Sequence, residues 1–287
     1  MMYLSRVRLR PEIGQTQLAR VLEDRQYGLH RLFWDLFSDG KADRQRRTFL
    51  FREELTAEQL PRPGKRKADP LYYVLSKEKP TENALFSVDV KPYNPKLAVG
   101  DRLSFKLRVN AVVTRNGKRH DIVMDAQNSW LNAQLKAIGQ TTDGAKGKRK
   151  QRLLDHAGDK KLEQWRADIE TGRFSQKLEQ SLGRSALMEW AIKTSEAERV
   201  QKWWERQGME RHGFEIVQHP KSGLPLFEYT AYLNHSIPEK GKSAGFSSLD
   251  LSGEVVVTDV ERFNRLLLEG TGPAKAFGCG LMLVRRV

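Results

Sequence analysis

The sequence predicts an α+β chain: two similar mixed domains in tandem, with a block of charged helices inserted between them. Three observations predict it. Short alternating apolar segments recur towards both ends, as half-buried strands do. Segments with apolar residues three and four apart stand among them, the mark of amphipathic helices. From Gln127 to about Lys193 the strand pattern gives way to charged, helical composition.

Tyr3 to Leu9 alternates as a strand, and a helical region follows to about Phe37. "RTFLFREEL" and, after the loop "PRPGKRKADP", "LYYVLSKE" give two more strands. "KPTENALF" offers at most one helical turn. The Pro-rich bend "KPYNPKLAVGD" leads into one long strand, "RLSFKLRVNAVVTR". Strand, helix, strand, strand, connection, strand is close to the ferredoxin-like order, and this domain is expected over residues 1–120.

A linker and helical insertion are expected over residues 121–194. Its helices are "SWLNAQLKAIG", "LLDHAGDKKLEQWRADIE" and "KLEQSLGRSALMEWAIK". The basic run Lys146, Lys148, Arg149, Lys150 and Arg152 falls in a glycine-containing break between them. It reads as a solvated loop or as an RNA contact.

Residues 195–287 repeat the mixed pattern. Ser195 with Glu198 resembles a capping box opening "EAERVQKWWERQG". Strands follow at "FEIVQH", "LFEYTAYLN" and "FSSLDLSGEVVVTD", with a basic hairpin tip, "HSIPEKGKSAG", between the last two. Asp259 caps the helix "VERFNRLLLEG", and "CGLMLVRRV" is the last strand. With "HDIVM" as first strand, this is a second ferredoxin-like order.

Composition narrows the partners. The 287 residues carry 50 Lys+Arg against 36 Asp+Glu, a net charge of +14. That balance points to a polyanionic partner, with a merely basic surface as the alternative. The single cysteine, Cys279, excludes an internal disulfide framework and a Cys-based zinc site, and fits a reducing cytoplasm. The six histidines are scattered without an HxxxH pair, so neither metal nor cofactor is expected. No apolar run approaches the ~18 residues of a membrane span, so no membrane partner is expected either.

Two local features carry chemistry. In "DRQYGLHRLFWDLF", Leu29, Leu32, Phe33 and Leu36 form one helix face. Tyr27, His30, Arg31 and Trp34 form the opposite, outward patch, either a solvated face or a site. In "GTGPAKAFGCG", Gly270, Gly272, Gly278 and Gly280 surround Lys275. Glycines let backbone N–H groups approach a phosphate, and the lysine adds a point charge. The alternative is a tight turn with Gly270 as helix C-cap. The loop follows a helix and precedes a strand, so it is not a dinucleotide fingerprint, and it lacks the G-K-[ST] of a P-loop.

Together, "MYLSRV", Tyr-x-x-His on the first helix, "RLSFKLRVN" and "GTGPAKAFGCGLMLV" resemble the CasE family, the repeat-RNA endoribonucleases of type I-E CRISPR systems. The resemblance implies two ferredoxin-like (RRM-like) domains and metal-independent cleavage of precursor RNA at the base of the repeat hairpin. It also implies retention of the product as a subunit of the surveillance complex. Tyr27 and His30 match the family's active-site pair. Arg31 would contact phosphate, the glycine loop would pack beside the helix, and the basic hairpin from His235 to Ser243 would grip the stem. Where some members place a further lysine, this chain has Trp34 and Asp35. Lys275 and Arg31 are therefore the candidates for transition-state charge.

The chemistry suits those residues. Without metal, the neighbouring 2′-OH attacks the phosphate, and groups are needed to take and give protons. Histidine titrates near neutrality and can do either, at an effect of about 10²–10⁴-fold. A-form stems hide their bases, so phosphate contacts must supply much of the affinity. Arg31, Arg115, Lys118, Arg119, Lys240 and Lys242 are the candidates. The rival readings are a non-catalytic RNA-binding module, a metal-dependent nuclease and a structural ribonucleoprotein subunit.

Overall fold

The computed structural model describes residues 1–10, 12, 27–37, 49–54, 71–180, 183–237 and 244–287. They divide into two units, Met1–Asn110 with Gly208–Val287, and Ala111–Gln207.

In the first unit, alternation makes Met2–Leu9 a strand (β1), with Ser5, Val7 and Leu9 buried and Arg6 and Arg8 exposed. It joins Phe49–Glu54 (β2), Leu71–Ser76 (β3) and Phe86–Tyr93 (β4) in an antiparallel sheet ordered β2-β3-β1-β4. That is the ferredoxin-like order. The helix Tyr27–Trp34 (α1) covers one face, setting Leu29 and Phe33, with Leu36 and Phe37 just beyond it, against Val7, Leu9, Phe49, Phe51, Tyr72 and Phe86. Phe33 is fully buried among four rings, and its truncation would cost about 3–5 kcal/mol. The second crossover helix is absent. Residues 77–85 turn instead, with the Asn83 side chain accepting from the Leu85 and Phe86 N–H groups.

The fourth strand of this sheet is β4, not the long strand expected over 102–115. β4 carries Pro92 in its ladder. A missing N–H is tolerated there because β4 is an edge. The expected long strand is divided: Arg102–Val109 (β5) enters a different sheet, and Val112–Arg115 (β6) turns into a hairpin.

The second unit begins with that hairpin. β6 pairs with Lys118–Asp121 (β7) around Asn116 and Gly117, both at positive φ, the geometry that Asn-Gly favours in a two-residue turn. "HDIVM" is therefore not the first strand of the second domain: Asp121 ends β7 and caps the helix Ile122–Ala137 (α2), accepting from the Met124 N–H at 2.8 Å. Lys146–His156 (α3), Asp159–Glu170 (α4) and Arg184–Gln207 (α5) complete a bundle around Leu131, Leu153, Trp165, Leu187 and Ile192.

Two further sequence expectations fail in this unit. The basic run is helical, and much of it braces the bundle rather than lying in a solvated loop. Arg149 donates to the Asn128 and Asn132 side chains, Arg152 to the Thr141 and Asp143 carbonyls, and Lys150 pairs with Glu189. Ser195 lies inside α5 and caps nothing. The buried series Leu187, Met188, Ala191, Ile192, Val200 and Trp204 is continuous through it, and burial overrides a local capping preference.

Back in the first unit, Phe214–Ile216 (β8), Phe227–Ser236 (β9), Gly245–Val257 (β10) and Met282–Arg286 (β11) join β5. The order is β11-β5-β10-β8, with β9 also on β10. β8 and β9 line up along β10 as one interrupted strand. β5 thus takes the first-strand place in a second ferredoxin-like order, because its eight-residue ladder with β10 buries Leu103, Phe105, Leu107 and Val109. Asp259 caps Val260–Glu269 (α6), accepting from the Arg262 N–H as its sequence position predicts.

Candidate active site

His30 stands in α1 between buried Leu29 and exposed Arg31. The expected outward patch is only partly solvated, because β2 lies across it. Phe49 and Phe51, two apart and so on one face of β2, place their rings 5.1 and 6.3 Å from the imidazole. Trp34, one turn on, meets it edge-on at 5.9 Å. His30 is half-buried in this aromatic collar, and burial lowers its pKa below the ordinary histidine value. The imidazole is therefore neutral at pH 7. Tyr27 is the first residue of α1, one turn before His30.

The glycine loop packs against both α1 and β2. All four of its glycines have positive φ, from 69° to 91°. A Cβ at Gly270 would lie 2.7 Å from the Gly280 carbonyl oxygen, and one at Gly278 would lie 3.2 Å from the Phe51 ring. Close backbone approach and left-handed dihedrals thus account for these glycines. The Thr271 N–H donates to the Gly280 carbonyl, and the Gly280 N–H donates to the Arg108 carbonyl on β5 at 2.7 Å. Lys275 lies in the short helix Lys275–Phe277, and its ammonium donates to the Glu269 and Gly270 carbonyls at 2.6 and 3.1 Å. It holds the C-terminus of α6, where a cation is favoured. His212 meets Thr271 at 3.0 Å, and burial, with Arg211 and Lys275 nearby, lowers its pKa to about 4.

The structure brings His30, the glycine loop and Lys275's helix together and leaves Arg31 exposed beside them. At the base of the second-domain hairpin, His235 stacks on Phe246 at 4.6 Å, and Phe246 lies 5.0 Å from Phe277. Lys240 and Lys242, which the sequence reading expects at a hairpin tip, lie outside the described residues. Arg115, Lys118 and Arg119 belong to the other unit. Lys118 and Arg119 are exposed on β7, whereas Arg115 forms a two-pronged pair with Asp125.

Sequence reasoning missed a charge cluster beneath this site. Arg52 on β2 is 5% exposed, with Nε 2.6 Å from Glu54 and Nη2 3.7 Å from Asp250. Asp250 also takes both prongs of Arg108, and Glu54 meets Lys106 at 3.6 Å. An arginine at an inward position of a buried strand was the available signal. Among the described residues, no group of three or more His, Cys, Asp or Glu is placed to hold a metal ion. No helix there is long and apolar enough to cross a membrane.

With the geometry in place, comparison with known proteins is informative. A family model described as "CRISPR associated protein" matches residues 2–286. Thermus thermophilus Cse3, solved "bound to an RNA representing a pre-cleavage complex", is 19% identical with a TM-score of 0.56, covering 99% of this chain and 98% of its own. CRISPR endoribonuclease Cse3 "bound to 19 nt RNA" is 18% identical at 0.55, over the same shares of the two chains. A CRISPR-associated protein from Thermus thermophilus gives 18% and 0.51, covering 99% of each. No curated protein sequence matches.

Proposed function

The chain belongs to the CRISPR-associated protein family, and from that premise we propose that it is the endoribonuclease that cuts the CRISPR repeat hairpin. It cleaves precursor RNA at the base of the stem without metal, by attack of the 2′-OH on the adjacent phosphate. The products are a 2′,3′-cyclic phosphate and a 5′-OH. The enzyme then retains the guide RNA as a subunit of the type I-E surveillance complex, as the CasE resemblance implies.

One observation carries the reading: the His30 imidazole is half-buried in an aromatic collar, on a helix packed against a glycine loop, with an exposed arginine next to it. Burial favours the neutral imidazole, which can accept a proton, and this supports His30 as the group that takes the 2′-OH proton; the imidazolium so formed returns that proton to the 5′ oxygen as it leaves. Tyr27, one turn away, donates a hydrogen bond to the nucleophile or the phosphate, the role that suits a tyrosine hydroxyl, whose unperturbed pKa is near 10. Arg31 neutralises the phosphorane. Lys275, engaged with the carbonyls of α6, adds positive field and fixes the loop. Lys118, Arg119, Lys240 and Lys242 grip the stem phosphates, with Arg115 available if Asp125 releases it.

The test is cleavage of a type I-E repeat hairpin RNA in excess EDTA, with and without a 2′-deoxy nucleotide 5′ to the cut. Cleavage that survives EDTA, fails on the deoxy RNA and is lost in His30→Ala is expected. Cleavage only with added metal, or full activity of His30→Ala, refutes the proposal. Tight binding without cleavage would make the chain an RNA-binding module.

A further inference from the structure

β2 has two working faces. Phe49 and Phe51 face α1 and collar His30. Leu50, Arg52 and Glu54 face the second sheet, where Leu50 packs on Leu281, Arg52 reaches Asp250 and Glu54 reaches Lys106. Phe51 also abuts Gly278 of the glycine loop, and the other end of that loop hangs from the Arg108 carbonyl through Gly280. The Arg108 side chain holds Asp250 by both oxygens. The contacts close a circuit: His30, Phe51, Arg52, Asp250, Arg108, Gly280, the loop, and Phe51 again.

We propose that Arg52, which nothing above assigns to the reaction, is a positioning residue that sets the glycine loop against His30. The inference rests on the endoribonuclease reading. Its physical argument concerns what the buried guanidinium does not do. Desolvating a charge is expensive, and replacing a buried ion by an apolar residue is often neutral or stabilising provided its partners stay paired. Here they do: Asp250 keeps Arg108, and Glu54 keeps Lys106. Among the described residues Nη1 of Arg52 has no hydrogen-bond partner at all, a further penalty on the folded state. An apolar side chain would fill the same space without these costs. What it would lack is direction: two carboxylates, one on its own strand and one on β10, fix the guanidinium and therefore the register between β2 and the second sheet.

The experiment uses the full chain and a 5′-labelled repeat hairpin RNA, with its 2′-deoxy analogue as the binding probe. Arg52→Met is expected to melt near the wild-type temperature and bind the deoxy RNA as wild type does. Its single-turnover cleavage rate is expected to fall about 10–100-fold, the effect of sub-ångström to ångström misplacement. Arg52→Lys, which keeps the charge but loses the fork, should recover part of that rate. Wild-type cleavage by Arg52→Met, or a rate loss matched by equal losses of binding and melting temperature, overturns the proposal. Should Arg52→Met not fold, Arg52→Lys and Asp250→Asn carry the test, and wild-type rates in both overturn it. If the wild type itself does not cleave, the function proposed above fails. The positioning claim is then read from the His30 imidazole resonances by NMR, which must move in Arg52→Lys; unmoved resonances overturn it.

Discussion

Gly280→Ala isolates the close packing of the glycine loop. Gly280 has φ 91°, and a Cβ there would lie 2.5 Å from the Thr271 carbonyl oxygen and 3.2 Å from Cγ of Lys275. Left-handed backbone costs an alanine about 1–2 kcal/mol. The collision is with main chain that is itself bonded to Gly280, so overpacking adds about 1–3 kcal/mol. Gly223→Ala is the control: φ is 67°, but nothing lies within 4 Å of the added carbon, so only the dihedral cost applies. At roughly 2–4 °C per kcal/mol, Gly280→Ala should melt about 4–20 °C below wild type, and Gly223→Ala only about 2–8 °C below. Differential scanning calorimetry of both variants in one buffer decides it. Equal melting temperatures would show that the loop yields freely at Gly280 and would refute its role as a rigid seat beside His30.

Acid should destabilise the fold. His212 titrates near 4 when folded and near 6.5 unfolded, so the unfolded chain takes up the proton first. Its contribution is full above about pH 6.5 and is lost as pH falls towards 4, on the order of 2–3 kcal/mol; urea midpoints of His212→Gln should flatten over that window. Burial pushes the Cys279 thiol up to about 12, so a thiol-disulfide reagent at pH 8 should label it only after denaturant is added, and rapid native labelling contradicts the buried loop. If Lys118 and Arg119 neutralise phosphates, the double Ala variant should reduce the magnitude of the log-affinity against log-salt slope by about 1.4–1.8, and an unchanged slope removes them from the interface.

The elements that decide the candidate site were legible because their signals are local. The α1 stripe is a matter of spacing, the four glycines answer to φ and close approach, and Asp259 caps the next residues in the chain. What was not legible depends on distant partners. The first sheet takes β4, with its Pro92, because an edge forgives a missing N–H, and edges are invisible before pairing is known. β5 looked like the end of the first domain, yet its partners begin about 140 residues later. His30 looked outward until Phe49, on a strand that comes later in the sequence, covered it. Arg52 and Asp250 are almost 200 positions apart, and no short window contains both.

The late pairing of β5 has a consequence for synthesis. Once Arg102–Val109 has emerged, about 140 further residues must be made before β10 can zip onto it. At 5–20 residues per second, that is on the order of 10 s with an apolar ribbon unsealed. The intervening helical bundle, built from local contacts, can form meanwhile. The ribbon itself alternates Arg102, Lys106 and Arg108 with its apolar side chains, and charges so placed act as gatekeepers against edge-to-edge association. The same three cations later find Glu254, Glu54 and Asp250. Charges that keep the nascent strand soluble become, on completion, ties to β10 within the second sheet and, through Lys106 and Glu54, a tie to the first. Replacing them with apolar residues would show first in the yield of soluble chain during translation.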